Sequence, residues 1–318
     1  MAELTWRPLT TADAQSSAEL LNAIETVDRI GENYVAADTL QELIDPFSDL
    51  ERASLAAFDG ERMVGFMKTR YKQYAKDVHR VFLDGGVDPE YRRRGIGTRL
   101  VEEGIEAAKT VHALHHPTLK LAVDIHKAEK IAGTSELFRA HGFAPARYFQ
   151  RMTHPLGGTT APVPDGFAAE RWSADNDDDF RLVRNASYLD HWGSTPVSAE
   201  AWKNKFANHV MRPEISFLLR DKATGVAASV VLTLSWAADT ETTGIRDAHF
   251  MVVGTRPAYR NRGLATAAIG CALRAAAEHG YDQASLSIDS DSASGAPGIV
   301  ARAGFVGEMR YVRWALDA

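Results

Sequence analysis

The chain of 318 residues contains a single cysteine, Cys271, so it can form no intramolecular disulfide and no cysteine-rich zinc site. No stretch approaches the roughly 18 consecutive apolar residues that a membrane-spanning helix requires. The opening residues Met1-Ala2-Glu3-Leu4-Thr5-Trp6-Arg7 lack the basic-then-apolar order of a secretory leader, which sets the expectation of a cytoplasmic protein. Neither charge sign dominates. Against 36 Lys and Arg stand 42 Asp and Glu, a net charge of −6, which argues against nucleic acid or an anionic membrane as the partner.

What the sequence does contain is itself, twice. Asp88-Pro89-Glu90-Tyr91-Arg92-Arg93-Arg94-Gly95-Ile96-Gly97-Thr98 returns 168 positions later as Arg256-Pro257-Ala258-Tyr259-Arg260-Asn261-Arg262-Gly263-Leu264-Ala265-Thr266. His141-Gly142-Phe143 returns 162 positions later as Ala303-Gly304-Phe305, and Arg7 with Ala12-Asp13 resembles Arg171 with Ala174-Asp175. A solenoid repeats every 20–50 residues; an offset near 165 is a tandem of whole domains. The small, polar, Pro/Gly-rich run from Gly157 to Gly166 reads as the seam, giving domains over 1–156 and 166–318 with a linker over 157–165.

Each half reads as helix, then strands, then alternating strand and helix. Apolar spacing predicts a helix over 14–27 on Leu20, Leu21, Ile24 and Val27. Strands over 54–58 and 63–70 flank the turn Asp59-Gly60. A strand follows over 78–87 and a helix over 98–109. The second half predicts strands over 215–219, 226–234 and 248–255, then a helix over 266–279 ending at Gly280. In both halves the repeated motif is a glycine-containing, arginine-rich loop between a strand and a helix. Glycine lets a backbone approach a ligand, and the first turn of a helix offers unpaired N–H groups and partial positive charge. A pyrophosphate suits that place. The spacing is neither the dinucleotide fingerprint nor a P-loop.

Arg92-x-x-Gly95-x-Gly97 and Arg260-x-x-Gly263-x-Ala265, with Val87-x-Pro89 before the first and Gly142-Phe143 and Gly304-Phe305 downstream, resemble the acyl-CoA loop of the GNAT N-acetyltransferase superfamily. The resemblance covers essentially the whole chain twice, as in tandem, mycothiol-synthase-like and secondary-metabolism acetyltransferases. It implies an α/β (layered α+β) fold: two GNAT domains, each a mixed, mostly antiparallel sheet flanked by helices. It implies acetyl-CoA or another acyl-CoA as co-substrate and a small-molecule primary amine as acceptor. It assigns the pyrophosphate to Arg92, Arg93, Arg94, Gly95, Ile96, Gly97 and Thr98, and to Arg260, Asn261, Arg262, Gly263, Leu264, Ala265 and Thr266. The pantetheine and acyl carbonyl fall to Gly85, Gly86 and Val87, and to Val253, Gly254 and Thr255.

The family's general base often lies eight residues before the loop proline. That position is His249 in the second half and Val81 in the first. An imidazole titrates near neutrality, and Asp247, two residues earlier on the strand, points to the same side. In the first half His79 shares the side of Val81, with Asp84 nearby. The family's proton-donating tyrosine, four residues before the Gly-Phe glycine, is replaced by Phe138 and Val300. The segment Tyr188-Leu189-Asp190-His191-Trp192-Gly193 suits either a lid over an amine or a packed loop anchored by Trp192 and Trp202. His112, His115 and His116 lack a convincing fourth ligand, so no metal is expected, and Cys271 reads as a small core residue. The resulting expectation is an N-acetyltransferase working in its second half through His249, Asp247 and His191, with acyl-CoA also bound by the first half, as a monomer or homodimer. The alternatives are a catalytic first half with a degenerate second, or an acyl-CoA-binding sensor without catalysis.

Overall fold

The computed structural model describes residues 3–157, 161–206, 208–291 and 295–318. Most of the expected linker is described, but 158–160 lie outside. The first half runs β1 (Thr5–Arg7), α1 (Ala14–Asp28), α2 (Ala36–Leu43), α3 (Leu50–Ala53), β2 (Ser54–Asp59), β3 (Arg62–Tyr71), β4 (Val78–Val87), α4 (Ile96–His115), β5 (Lys120–Ala128), α5 (Thr134–Ala140) and β6 (Ala144–Pro155). The second half runs β7 (Phe167–Arg171), α6 (Asp177–Ser187), α7 (Ala199–Phe206), β8 (Phe217–Asp221), β9 (Ala227–Leu234), α8 (Ala237–Thr243), β10 (Asp247–Thr255), α9 (Leu264–Glu278), β11 (Gln283–Asp289), α10 (Ala296–Arg302) and β12 (Val306–Asp317). Every strand and helix named from the sequence is present, with ends moved by a few residues.

The chain forms two compact units, Met1–Tyr148 with Arg310–Ala318, and Phe149–Met309. Unit 1 has the strand order β1-β2-β3-β4-β5-β12, and unit 2 has β6-β11-β10-β9-β8-β7. Each unit therefore takes its last strand from the other half of the chain: β12 pairs antiparallel with β5, Trp314 opposite Ile125, and β6 pairs antiparallel with β11, Thr153 opposite Ser285. A division by chain position, 1–156 and 166–318, differs from this division by contact for that reason.

In unit 1, α4 lays Leu100, Val101, Ala107, Ala108 and Val111 on one side of the sheet, against Val81, Leu83, Val123 and Ile125. Gly104 lets the helix come close, since a Cβ there would stand 2.6 Å from Leu83. On the other side, Leu20, Leu21 and Ile24 of α1 cover Ala56 and Phe66 of β2 and β3. Unit 2 repeats the plan. α9 contributes Ala267, Ala268, Cys271, Ala272, Ala275 and Ala276 to one core, and their small size lets the helix sit tight on β8 to β11. Phe180, Val183, Trp202 and Phe206 of α6 and α7 cover the opposite side. Cys271 is buried and free. No helix of the described residues is long and apolar enough to cross a membrane.

Candidate active site

The central parallel strands part. In unit 2, β10 and β11 pair from Asp247–Gln283 to His249–Ser285, and beyond that rung the two strands diverge. In unit 1, β4 and β5 pair from Val78–Lys120 to Phe82–Asp124 and then do the same. A splay between parallel strands gives an extended ligand access to main-chain groups that pairing would otherwise consume.

Each splay leads to a loop of nearly identical backbone. Arg92 (φ −62°, ψ 157°) corresponds to Arg260 (φ −63°, ψ 160°). Arg93 and Asn261 are both left-handed, at φ 63° and 62°. Gly95 and Gly263 are left-handed at 84° and 76° and cap α4 and α9. Three matches 168 positions apart, two of them in conformations that non-glycine residues avoid, show one turn built twice. The loop arginines divide their work. Arg92 is held bidentately by Asp28 at 2.8 Å, and Arg260 donates to Asp190 and to the Ser187 carbonyl, both at 3.1 Å. Arg94 lies over Tyr91 and Arg262 over Tyr259. The first arginine of each loop thus ties it to the end of α1 in unit 1 and to the end of α6 in unit 2, while Arg93 and Asn261 stay exposed.

At the top of the unit 2 splay, three side chains line up. The Ser285 hydroxyl donates to Asp247 Oδ2 at 2.5 Å, and His249 Nδ1 lies 2.9 Å from Ser285 Oγ. The single hydroxyl proton goes to the carboxylate, so the serine oxygen accepts from Nδ1–H and the Nε2 lone pair is left free. Among the described residues Nε2 has no hydrogen-bond partner. Burial, with the charges of Arg151 and Lys205 behind it, pushes His249 down to about 3, so the ring is neutral at physiological pH. Burial raises Asp247 despite the Ser285 bond. Trp236 stands 5.9 Å from the imidazole ring. Ser285 carries no motif and lies 36 residues from His249; only the parallel pairing of β10 and β11 brings it there.

Unit 1 has no such relay, and the reason corrects the count made on the sequence. Val81, eight residues before Pro89, is fully buried in the α4-side core, as is Val123 opposite it. β10 carries a register irregularity against β9 between Phe250 and Val252, whereas β3 and β4 pair without one. One extra residue turns every side chain before it to the other face. The position matching His249 at the last rung is therefore Phe82, opposite Asp124 where unit 2 has Ser285. His79 is fully buried, 3.1 Å from His112, and burial lowers it to about 4. Asp84 lies on the opposite face from Val81, and its carboxylate is lowered by Lys68, Arg70, Lys127 and Arg313 against the cost of burial. Asp124 is fully buried and bound by Arg80 at 2.9 Å.

Of the remaining expected residues, His191 is not joined to His249 by any contact among the described residues. It stacks on Tyr188 at 5.4 Å, and the Tyr188 hydroxyl donates to the Val253 carbonyl at 3.3 Å. Burial pushes the Tyr188 phenol up, so it keeps its proton. Phe138 and Val300 are buried core residues. Trp202 is buried with its indole N–H on Asp177, so this part of the segment is packing. No group of three His, Cys, Asp or Glu among the described residues is arranged to hold a metal.

The profile of the Acetyltransferase (GNAT) family matches residues 19–132, within unit 1. The chain carries a GNAT acetyltransferase domain over that span. It is 25% identical over 255 residues to a mycothiol acetyltransferase of Clavibacter michiganensis subsp. michiganensis, spanning 78% of each chain. A GCN5-related N-acetyltransferase from Sphaerobacter thermophilus shares the fold at a TM-score of 0.74 and 23% identity, over 100% of this chain and 96% of the other. A tandem GNAT protein from the clavulanic acid biosynthesis pathway aligns at a TM-score of 0.70 and 16% identity, over 99% and 98%. Acyl-CoA is the donor that this family uses, and the two splays with their glycine-capped loops fit it.

Proposed function

We propose that unit 2 transfers an acetyl group from acetyl-CoA directly to the primary amine of a small molecule, with His249 as the general base, and that unit 1 binds acyl-CoA. The observation that carries this reading is the Asp247–Ser285–His249 relay at the point where β10 and β11 part. Bound acyl-CoA supplies a thioester; the chain has to hold it, align the amine and remove a proton.

The main chain of Val253, Gly254 and Thr255 lines the splay, and the loop from Arg260 to Thr266 receives the pyrophosphate. An amine becomes acidic as its bond to the carbonyl forms, so a neutral imidazole can accept the proton at Nε2. The charge that appears on the ring is passed along Nδ1–H to Ser285 and Asp247, which restores favourable electrostatics only once the proton has moved. Tyr188, neutral and on the Val253 carbonyl, is the hydroxyl that unit 2 offers to the departing thiolate, with His191 stacked to orient it. The reverse assignment, with unit 1 catalytic, draws support from its Gly95-x-Gly97 loop. Against it stand Phe82 at the base position and a lysine across the splay.

The test is a primary-amine panel with acetyl-CoA, beginning with the acceptor of mycothiol acetyltransferases, read by thiol release and by acetamide mass. Equal molar release and acetamide for one amine supports the reading. Tight CoA binding with no amine acetylated overturns it in favour of a sensor.

A further inference from the structure

Unit 1 holds an amine of its own where the acyl group of a bound thioester would lie. Past the last β4–β5 rung, Phe82–Asp124, Lys127 reaches back from the diverging β5 and its Nζ donates to the Gly85 carbonyl at 2.8 Å. Gly85 belongs to the main-chain segment assigned to pantetheine and the acyl carbonyl, and its strand is tightly placed: a Cβ there would stand 2.1 Å from the Phe66 carbonyl oxygen. Lys127 is half-buried, unlike the exposed Lys76 and Lys120. Asp84, on β4 beside Gly85, is the carboxylate whose charge couples to it. Among the described residues, unit 2 has no counterpart. Three residues beyond Ser285, where unit 1 has Lys127 beyond Asp124, stands Ile288, packed against the core. The Val253 carbonyl, matching that of Gly85, is capped from α6 by Tyr188 and not from across the splay.

We infer that Lys127 is an internal acyl acceptor, a self-acylation site of unit 1. The Nζ attacks the thioester carbonyl, the C–S bond breaks as the C–N bond forms, and CoA leaves as its thiol. Of the two protons the ammonium loses, one ends on that thiol and the other is released through Asp84 to solvent. The amide keeps one N–H for the Gly85 carbonyl, and the acyl group fills the splay, closing unit 1 to a second donor. The inference rests on the reading that unit 1 holds acyl-CoA.

The experiment incubates the full chain with deuterated acetyl-CoA and follows each lysine by peptide mass spectrometry, with and without excess desulfo-CoA, while native mass spectrometry counts CoA per chain. Lys127 is expected to be acetylated at least 10-fold faster than Lys76 and Lys120, to be protected by desulfo-CoA when they are not, and to react equally in His249→Ala. Asp84→Asn should slow it, and Lys127→Arg should remove the mass shift with both CoA equivalents still bound. Two CoA per chain with Lys127 modified no faster than the exposed lysines overturns this inference alone. One CoA per chain with Lys127 unmodified overturns the reading of unit 1 as an acyl-CoA holder as well.

Discussion

His249 Nδ1 lies 2.9 Å from Ser285 Oγ at the last rung before β10 and β11 diverge, and the serine hydroxyl donates its hydrogen bond to Asp247. That contact fixes which imidazole nitrogen is free, and it makes Ser285 a positioning residue whose removal has a defined signature. Ser285→Ala and Asp247→Asn should each lower kcat by about 10- to 100-fold with KM for acetyl-CoA unchanged, a fraction of what general-base catalysis supplies. Steady-state kinetics with the acceptor found in the amine panel checks this. A rise in KM for acetyl-CoA with kcat intact would assign both residues to donor binding instead.

Tyr188→Phe removes the hydroxyl on the Val253 carbonyl but keeps the ring under His191. If the phenol protonates the thiolate, kcat should fall about 10-fold or more, and a donor with a more acidic thiol leaving group should recover most of it. Equal losses with both donors would make Tyr188 a packing residue.

Gly85 is left-handed at φ 156°, and a side chain there would meet the backbone of Phe66 and Met67 on β3. Gly85→Ala should therefore destabilise unit 1 by about 3 kcal/mol, combining backbone strain with a clash that no side-chain rotation relieves. Gly263→Ala, whose Cβ would meet only the Pro164 ring at 4.0 Å, should cost about 1 kcal/mol. Urea denaturation of the two variants gives the comparison.

Three histidines are held neutral by burial: His79 at about 4, and His126 and His249 at about 3. Their folded-state values lie below the unfolded value near 6.5, so the unfolded chain binds protons first as pH falls. Their contribution is fully present above pH 6.5 and is lost below it, at about 1.4 kcal/mol per pH unit for each, until the folded values near 3 to 4 are reached. Denaturation midpoints should drop between pH 7 and pH 5, and His79→Phe should remove one histidine's share of the slope in unit 1. Midpoints flat across that range would contradict the burial.

Much of this was legible in the sequence because it is local. Gly60 at φ 61° makes the turn that its neighbours predict, and the two loops fold as alike as their letters. The exchange of β6 and β12 was not legible, since Gly142-Phe143 and Gly304-Phe305 precede a last strand whichever sheet it joins. Nor was the irregularity at Phe250/Val252, which is why one count from proline lands on a base in β10 and on a core valine in β4. Ser285 and Lys127 act through strand neighbours far away in sequence, and no spacing rule marks such residues.

The central claim is that the neutral imidazole of His249 removes the proton in unit 2. The most direct measurement is kcat of His249→Ala with the active amine, set beside its affinity for acetyl-CoA. The account predicts a fall of about 10²- to 10⁴-fold in kcat with acetyl-CoA binding preserved. Unchanged turnover in that variant would contradict it.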